Sequence, residues 1–203
     1  LEPITLIPAQ TSPFPVNGED EVDVQVTIGP KAKKPMQIKI PLIISGMGYG
    51  VGISEQAKMA LAQASKNAGT AINSGEGGIL PEELDSAGKY ILQFSKTAWA
   101  KEEEVIKRAD MIEIKLGQGA MLGMGKKIPP KDITGRAREI MGLEEKEDAV
   151  IFEQFFENQT LKDLKDLVDE LREITGGVPI GAKIGAGGKI EKDIDHLLEM
   201  GVD

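Results

Sequence analysis

From Pro41 onward the chain repeats one grammar: a short apolar run, a glycine-rich loop, then a stretch of helical period. Leu42-Ile43-Ile44 opens it as a continuous apolar run, the pattern of a parallel strand buried on both faces. Residues 46–52 form the loop and Ser54 stands as an N-cap. A helix is expected over about 55–67, with Met59, Ala62 and Ser65 on one face and Ala68-Gly69 as its stop. Residues 70–73 read as the next strand, Tyr90-Ile91-Leu92-Gln93-Phe94 as a third, and Met111-Ile112-Glu113-Ile114-Lys115, behind a helix over 101–108, as a fourth. Ala149-Val150-Ile151-Phe152 is a fifth strand, with a helix start as its rival. Leu161, Leu164, Val168 and Leu171 define an amphipathic helix that Gly176-Gly177 stops; residues 178–184 return as a strand and 190–200 as a last helix. Such alternation means parallel strands joined by right-handed crossovers.

Two arrangements compete, an open doubly wound sheet and a (β/α)8 TIM-type barrel. The barrel is preferred because the polar residues Asn73, Lys115 and Lys183 recur at strand ends, where barrel sites assemble. Residues 46–52 contain G-x-G pairs, but the acid about twenty residues on that a dinucleotide fingerprint carries is missing. A complete barrel takes about 250 residues. Only 163 of the 203 residues follow Ile40, enough for five or six of eight strands, so an incomplete barrel is expected over 41–203. Residues 1–40 form a separate piece. Pro3, Pro8, Pro13 and Pro15 mark an extended surface arm, then Val22 to Ile28 and Met36 to Ile40 alternate apolar and polar around Gly29-Pro30 and a basic, solvated turn at 31–34, as a β-hairpin does.

Composition excludes several classes. A net charge of −9 with no clustered basic face argues against a nucleic-acid partner. The absence of Cys rules out disulfides and thiolate metal sites in this segment and fits a reducing compartment. With one His, no metal site and no Ser-His-Asp chemistry are expected. No apolar run approaches eighteen residues and no signal peptide is seen, so no membrane contact and a cytoplasmic location are expected. Leu1 in place of Met suggests part of a longer polypeptide.

Four segments are expected to converge at the carboxyl ends of the strands. The run Asn73-Ser74-Gly75-Glu76-Gly77-Gly78 frames one carboxylate with three glycines, which allow a ligand to approach the backbone and leave Glu76 little steric cover. Ser45-Gly46-Met47-Gly48 offers backbone to a flat ring, and Lys115-Leu116-Gly117-Gln118-Gly119 ends a strand in a cation and an amide. Lys183 lies between Gly181 and Gly185, with Gly187-Gly188 beyond. Plainer roles exist: Met47 as core filler, Asn73 bonding its own turn, Lys115 reaching solvent, His196 as a structural residue, and 144–148 as a solvated loop. Lys183 is harder to dismiss, because a lysine in a central strand needs a partner or water. Two lysines, an amide and exposed N–H groups suit an electron-rich ligand that gains negative charge, as a flavin does at its reduced N1–C2=O edge.

Taken together, the segments resemble the FMN-binding synthase domain of the glutamate synthase family, a (β/α)8 barrel. The resemblance runs over 7–203. It rests on Ile7-Pro8-Ala9-Gln10, Ile28-Gly29-Pro30-Lys31-Ala32-Lys33-Lys34-Pro35, Met47-x-Tyr49-Gly50, Asn73-x-Gly75-Glu76-Gly77-Gly78, Glu113-Ile114-Lys115-x-x-Gln118-Gly119-Ala120 and Ala182-Lys183. It implies that ammonia condenses with 2-oxoglutarate and that reduced FMN reduces the resulting 2-imino acid. By the same resemblance Gly46, Met47, Gly48 and Asn73 line the flavin and Lys183 faces its ring or N1 edge. Lys115 and Gln118 bind the oxo acid, and Glu76 sits where ammonia arrives. It further implies an electron-donor protein or subunit, leaves room for a glutaminase partner, and puts iron–sulfur cysteines and the main FMN phosphate loops beyond Asp203. Three departures stand out: Gly48 replaces the usual Ser, Met121-Leu122-Gly123-Met124 replaces Lys-Pro-Gly-Glu, and Ala98 replaces an Arg, with Lys96 nearby as a substitute. They favour, as a rival, a related flavin barrel with another amine or acid substrate, such as a methylamine–glutamate methyltransferase-like subunit; a non-catalytic, truncated scaffold subunit without flavin is the rival from another class.

Overall fold

The computed structural model describes residues 8–97, 99, 102–117, 124–157 and 159–203. Strands β1 (Val26–Ile28) and β2 (Met36–Ile38) pair antiparallel. The alternation predicted longer strands, from Val22 and to Ile40. Val22 and Val24 are exposed and have no apolar surface to cover, while Lys39 N–H is diverted to the Gly69 carbonyl. At the turn Gly29 takes φ 59°, and a Cβ there would come within 2.6 Å of the Pro179 side chain. Lys34 ties the supposedly solvated turn down, giving its N–H to Gly177 O and its ammonium to Thr175 O.

Strand β3 (Ile43–Ile44) leads through helix α1 (Glu55–Ala68) to β4 (Ala71–Asn73). Ser54 Oγ caps α1 by accepting from Ala57 N–H, and Gly69 ends it at φ 64°. Helix α2 (Pro81–Ser86) precedes β5 (Lys89–Phe94), and α3 (Glu103–Lys107) precedes β6 (Met111–Lys115). An antiparallel pair then intervenes, β7 (Lys126–Ile128) with β8 (Ala149–Ile151), holding α4 (Arg136–Ile140) between its strands. Helix α5 (Leu161–Thr175) starts with a reciprocal Thr160–Asp163 capping box and ends at Gly176 in the left-handed region. Strand β9 (Ile180–Lys183) and helix α6 (Ile190–Met200) complete the order.

The main sheet runs β3-β4-β5-β6-β9, every pair parallel. Each new strand is added on the same side of the last. A doubly wound sheet would reverse direction at a switch point; consecutive addition is the winding of a barrel. The fold is therefore an incomplete (β/α)8-type barrel. Its outer face carries Ile72, Tyr90, Leu92, Phe94, Ile112, Ile114 and Ile180 against the helices. The inner face is layered. At the amino ends Ala71, Ile91 and Met111 are plugged by Met36 and Ile38 of the hairpin; toward the carboxyl ends it turns polar.

Two expectations fail for topological reasons. Leu42 and Ile43, expected to be buried on both faces, are 68% and 43% exposed, because β3 is the outermost strand of the sheet and has one neighbour. The strand over 149–151 forms but does not join the main sheet, since residues 126–128 offer it an antiparallel partner. With that partner it builds a second core from Tyr49, Leu80, Trp99, Ile128, Ile133 and Met141. Among the described residues no helix is long and apolar enough to cross a membrane.

Candidate active site

Between 71 and 80 every residue is buried except Glu76. The glycines explain this. Gly75 adopts φ 69°, and a Cβ on it would lie 2.5 Å from Gly48 N. A Cβ on Gly77 would lie 2.1 Å from Tyr49 O, and one on Gly48 2.4 Å from Gly77 N. The loops 46–49 and 75–78 thus press backbone on backbone, joined by Gly78 N–H to Tyr49 O. Gly48 is consumed by that contact and is not open to a ring. The expectation of a sparsely covered Glu76 is likewise revised: its Oε1 lies 2.7 Å from Lys115 Nζ, with the two side chains 16% and 8% exposed. Trp99 Nε1–H fixes the Glu76 carbonyl from the other side at 2.8 Å.

Beside this pair runs a row of amides on a carboxylate. Asn73 Oδ1 accepts from Gly75 N–H at 2.9 Å, so it does bond its own turn; its Nδ2 also donates to Glu113 Oε1 at 2.8 Å. Gln93 Nε2 donates to the same oxygen at 2.6 Å. Gly46 lies against them, where a Cβ would be 2.7 Å from Asn73 Oδ1. Met47 is half-buried. Gln93 and Glu113 were not singled out from the sequence, although each is a polar residue facing inward from a largely apolar strand, in register with the other.

Lys115 and Lys183 are register partners on β6 and β9 and so share the inner face. Of the partner or water expected for Lys183 it has water: half-buried on the outermost strand β9, it makes no ion pair or side-chain hydrogen bond among the described residues. Lys96 donates to Leu116 O at 2.9 Å and Glu153 O at 2.7 Å. Burial lowers its pKa; Glu76 opposes this and Lys115 adds to it. Gln118 lies outside the described residues, as do Ala98 and residues 121–123. His196 lines a cavity of about 320 Å³ that runs from Leu161, Leu164 and Met200 of the helices to Lys96, Leu116, Gly117 and Gly185 at the strand ends.

One buried cation was missed altogether. Lys58 on α1 donates to Met47 O at 2.9 Å, Asn73 O at 3.1 Å and Ser74 O at 2.8 Å. Its Nζ stands 3.1 Å from Glu83 Oε1 of α2, the side chains being 1% and 0% exposed. Burial pushes the Glu83 carboxyl up to about 7 against the pull of Lys58. The signal was present: Lys58, Ala62 and Ser65 occupy one helical stripe, and the expected Met59 is only half-buried.

A family model described as a conserved region in glutamate synthase matches residues 4–203. The chain is 30% identical over 206 residues to a glutamate synthase large subunit-like protein of Rhizobium meliloti (strain 1021), covering 100% of this chain and 46% of that protein. It is 33% identical over 187 residues to an archaeal glutamate synthase (NADPH) of Archaeoglobus fulgidus, covering 91% of this chain and 36% of the relative. The chain thus spans less than half the length of both relatives. Among solved structures, mandelate oxidase matches with TM-score 0.56 at 13% identity, over 94% of this chain and 53% of its own. A mandelate oxidase variant with a monooxide FMN adduct matches with TM-score 0.51 at 16% identity, over 89% and 49%. These two likenesses carry the fold alone.

Proposed function

The chain belongs to the glutamate synthase family, and from that premise we propose that it supplies part of the active site of an FMN-dependent oxidoreductase that reduces the 2-imino acid formed from 2-oxoglutarate and ammonia. The observation that carries this reading is the Glu76–Lys115 ion pair, 2.7 Å long, set beside the uncommitted cation Lys183 on one inner face. The face suits a flavin chemically. The Lys183 ammonium, without a side-chain partner among the described residues, matches a ring whose edge becomes anionic, and the Asn73 and Gln93 amides, each giving one N–H to Glu113 Oε1, carry a second N–H for an acceptor. Gly117 leaves room at the strand ends, since a Cβ there would meet only Gly185 N at 3.9 Å. Gly46, Met47, Asn73 and Lys183 would hold the cofactor, which when bound supplies hydride to the imine carbon.

The remaining steps belong to this chain. Lys115 and Gln118 would take a carboxylate of the oxo acid, and that carboxylate competes with Glu76 for the Lys115 ammonium. Once released, Glu76 accepts a proton from ammonium, leaving ammonia free to add to the keto carbon with loss of water. Burial strengthens the exchange, because either carboxylate meets Lys115 in a largely dry setting. The same reading includes an electron-donor subunit, ammonia from a glutaminase or from solution, and a cytoplasmic location.

One observation favours a second reading. Lys96 is bound to two backbone carbonyls and so does not stand in for the Arg missing at Ala98. The acid then meets one cation fewer, which suits a different amine or acid on the same flavin framework. The full-length protein, purified and scanned near about 450 nm for flavin, separates both readings from a non-catalytic scaffold. Oxidation of its reduced flavin should require ammonia and 2-oxoglutarate together. Faster oxidation with another oxo acid or amine moves the assignment to the second reading, and a colourless protein that FMN cannot reconstitute removes both.

A further inference from the structure

Lys58 has no place in the chemistry above, yet its ammonium is buried and fully engaged. Its three ammonium protons match three carbonyls, from Met47 on one loop and from Asn73 and Ser74 on the next. Glu83 faces it as a buried counter-charge, with its Oε1 3.1 Å from Nζ. Every other tie between the two loops is backbone to backbone, and the glycines at 48, 75 and 77 remove the side chains that usually fix such turns. A buried ammonium that gathers three carbonyls from two facing loops sets their spacing.

We infer that Lys58 is the positioning residue of the site, fixing the 46–48 loop against the 73–75 turn so that Asn73 and Glu76 are presented in one geometry. The role of the loops as a cofactor-facing mouth rests on the proposed function; the anchoring does not. Lys58 reaches the ligand only through the carbonyls of Met47, Asn73 and Ser74. It therefore governs affinity and orientation, and no proton or bond passes through it. Glu83 keeps the buried charge balanced, and α2 is thereby coupled to the mouth.

The test compares Glu83→Gln, which keeps the three carbonyl bonds, with Lys58→Met/Glu83→Gln, which removes them and leaves no lone buried charge. Hydrogen–deuterium exchange in the full-length protein is read at the amides of Gly52, Ile53, Gly75 and Gly78, all hydrogen-bonded within the two loops. Faster exchange confined to these amides is expected in the double variant and not in Glu83→Gln. Unchanged exchange, or an even rise across the whole sheet, overturns the inference. FMN titration gives the second readout, with an expected loss of affinity of about 10- to 100-fold in the double variant. Local loosening with undiminished FMN affinity would deny Lys58 its part in the site. Local loosening in a protein whose wild type takes no FMN would keep the anchor and discard the flavin reading.

Discussion

At the scale of single residues, the site depends on charges that are only partly compensated. Glu76 and Lys115 neutralise one another, whereas Lys183 has no side-chain partner among the described residues. Replacing Glu76 with Gln removes the proton acceptor but keeps the shape of the turn, whose carbonyl remains on Trp99. Ammonia-dependent turnover is expected to fall about 10²-fold while flavin titrates normally; loss of flavin would mean that the loop shapes the cofactor pocket instead. Lys183→Met removes the cation that favours an anionic reduced flavin. The midpoint potential should fall, by about 30 mV for each 1.4 kcal/mol of lost stabilisation, and an unchanged potential would place Lys183 away from the N1 edge. Lys58 shows why single residues were the hardest to read. A lysine in a helical stripe looks like surface until the fold reveals three carbonyls above it.

At the scale of elements, local rules did well wherever local bonds decide the outcome. Ser54, Gly69 and Gly176, read as helix ends, are so because each satisfies backbone groups within a few residues, and Thr160, not read from the sequence, does the same at the start of α5. Thr160→Ala removes the hydroxyl half of the capping box of α5, a helix that also supplies Leu164, Leu167, Val168 and Leu171 to the core. A loss of about 1–2 kcal/mol is expected, which thermal melting should register as a drop of roughly 2–8 °C. Pairing was less legible. Ala149 to Ile151 reads as a strand in either sheet, and only the competition between partners sends it to β7. Helix α2 is six residues long and begins at Pro81, too short to show a period, so it was not foreseen although it supplies Glu83. The strand centres of β4, β5, β6 and β9 and the convergence of Asn73 and Lys115 were legible. Gln93 and Glu113 were not, because their partners come from neighbouring strands whose register the sequence does not print.

At the scale of the whole molecule, stability should carry the imprint of the buried pair. The Glu83 carboxyl ordinarily titrates near 4.5 and is raised to about 7 in the folded protein by burial, with Lys58 and the buried Tyr90 hydroxyl facing it. Between those values the folded state binds more protons than the unfolded one, so stability is greatest below about 4.5 and declines as pH rises toward 7. The loss is on the order of 3 kcal/mol. Melting temperatures of the wild type measured from pH 5 to 8 should therefore fall relative to those of Glu83→Gln; parallel curves would show that Glu83 stays ionised throughout. The hairpin has a consequence of another kind. Its apolar side rests on β4, β5 and β6, and its turn is tied to Thr175, Gly177 and Pro179, nearly 150 positions later. The first strands in chain order are thus among the last to find their seat, since the surface they clasp does not exist until residues near 179 have been synthesised and arranged. Pulse-labelled amides of residues 26–38 should acquire protection after those of β5 and β6, leaving the nascent ribbon exposed while the rest assembles.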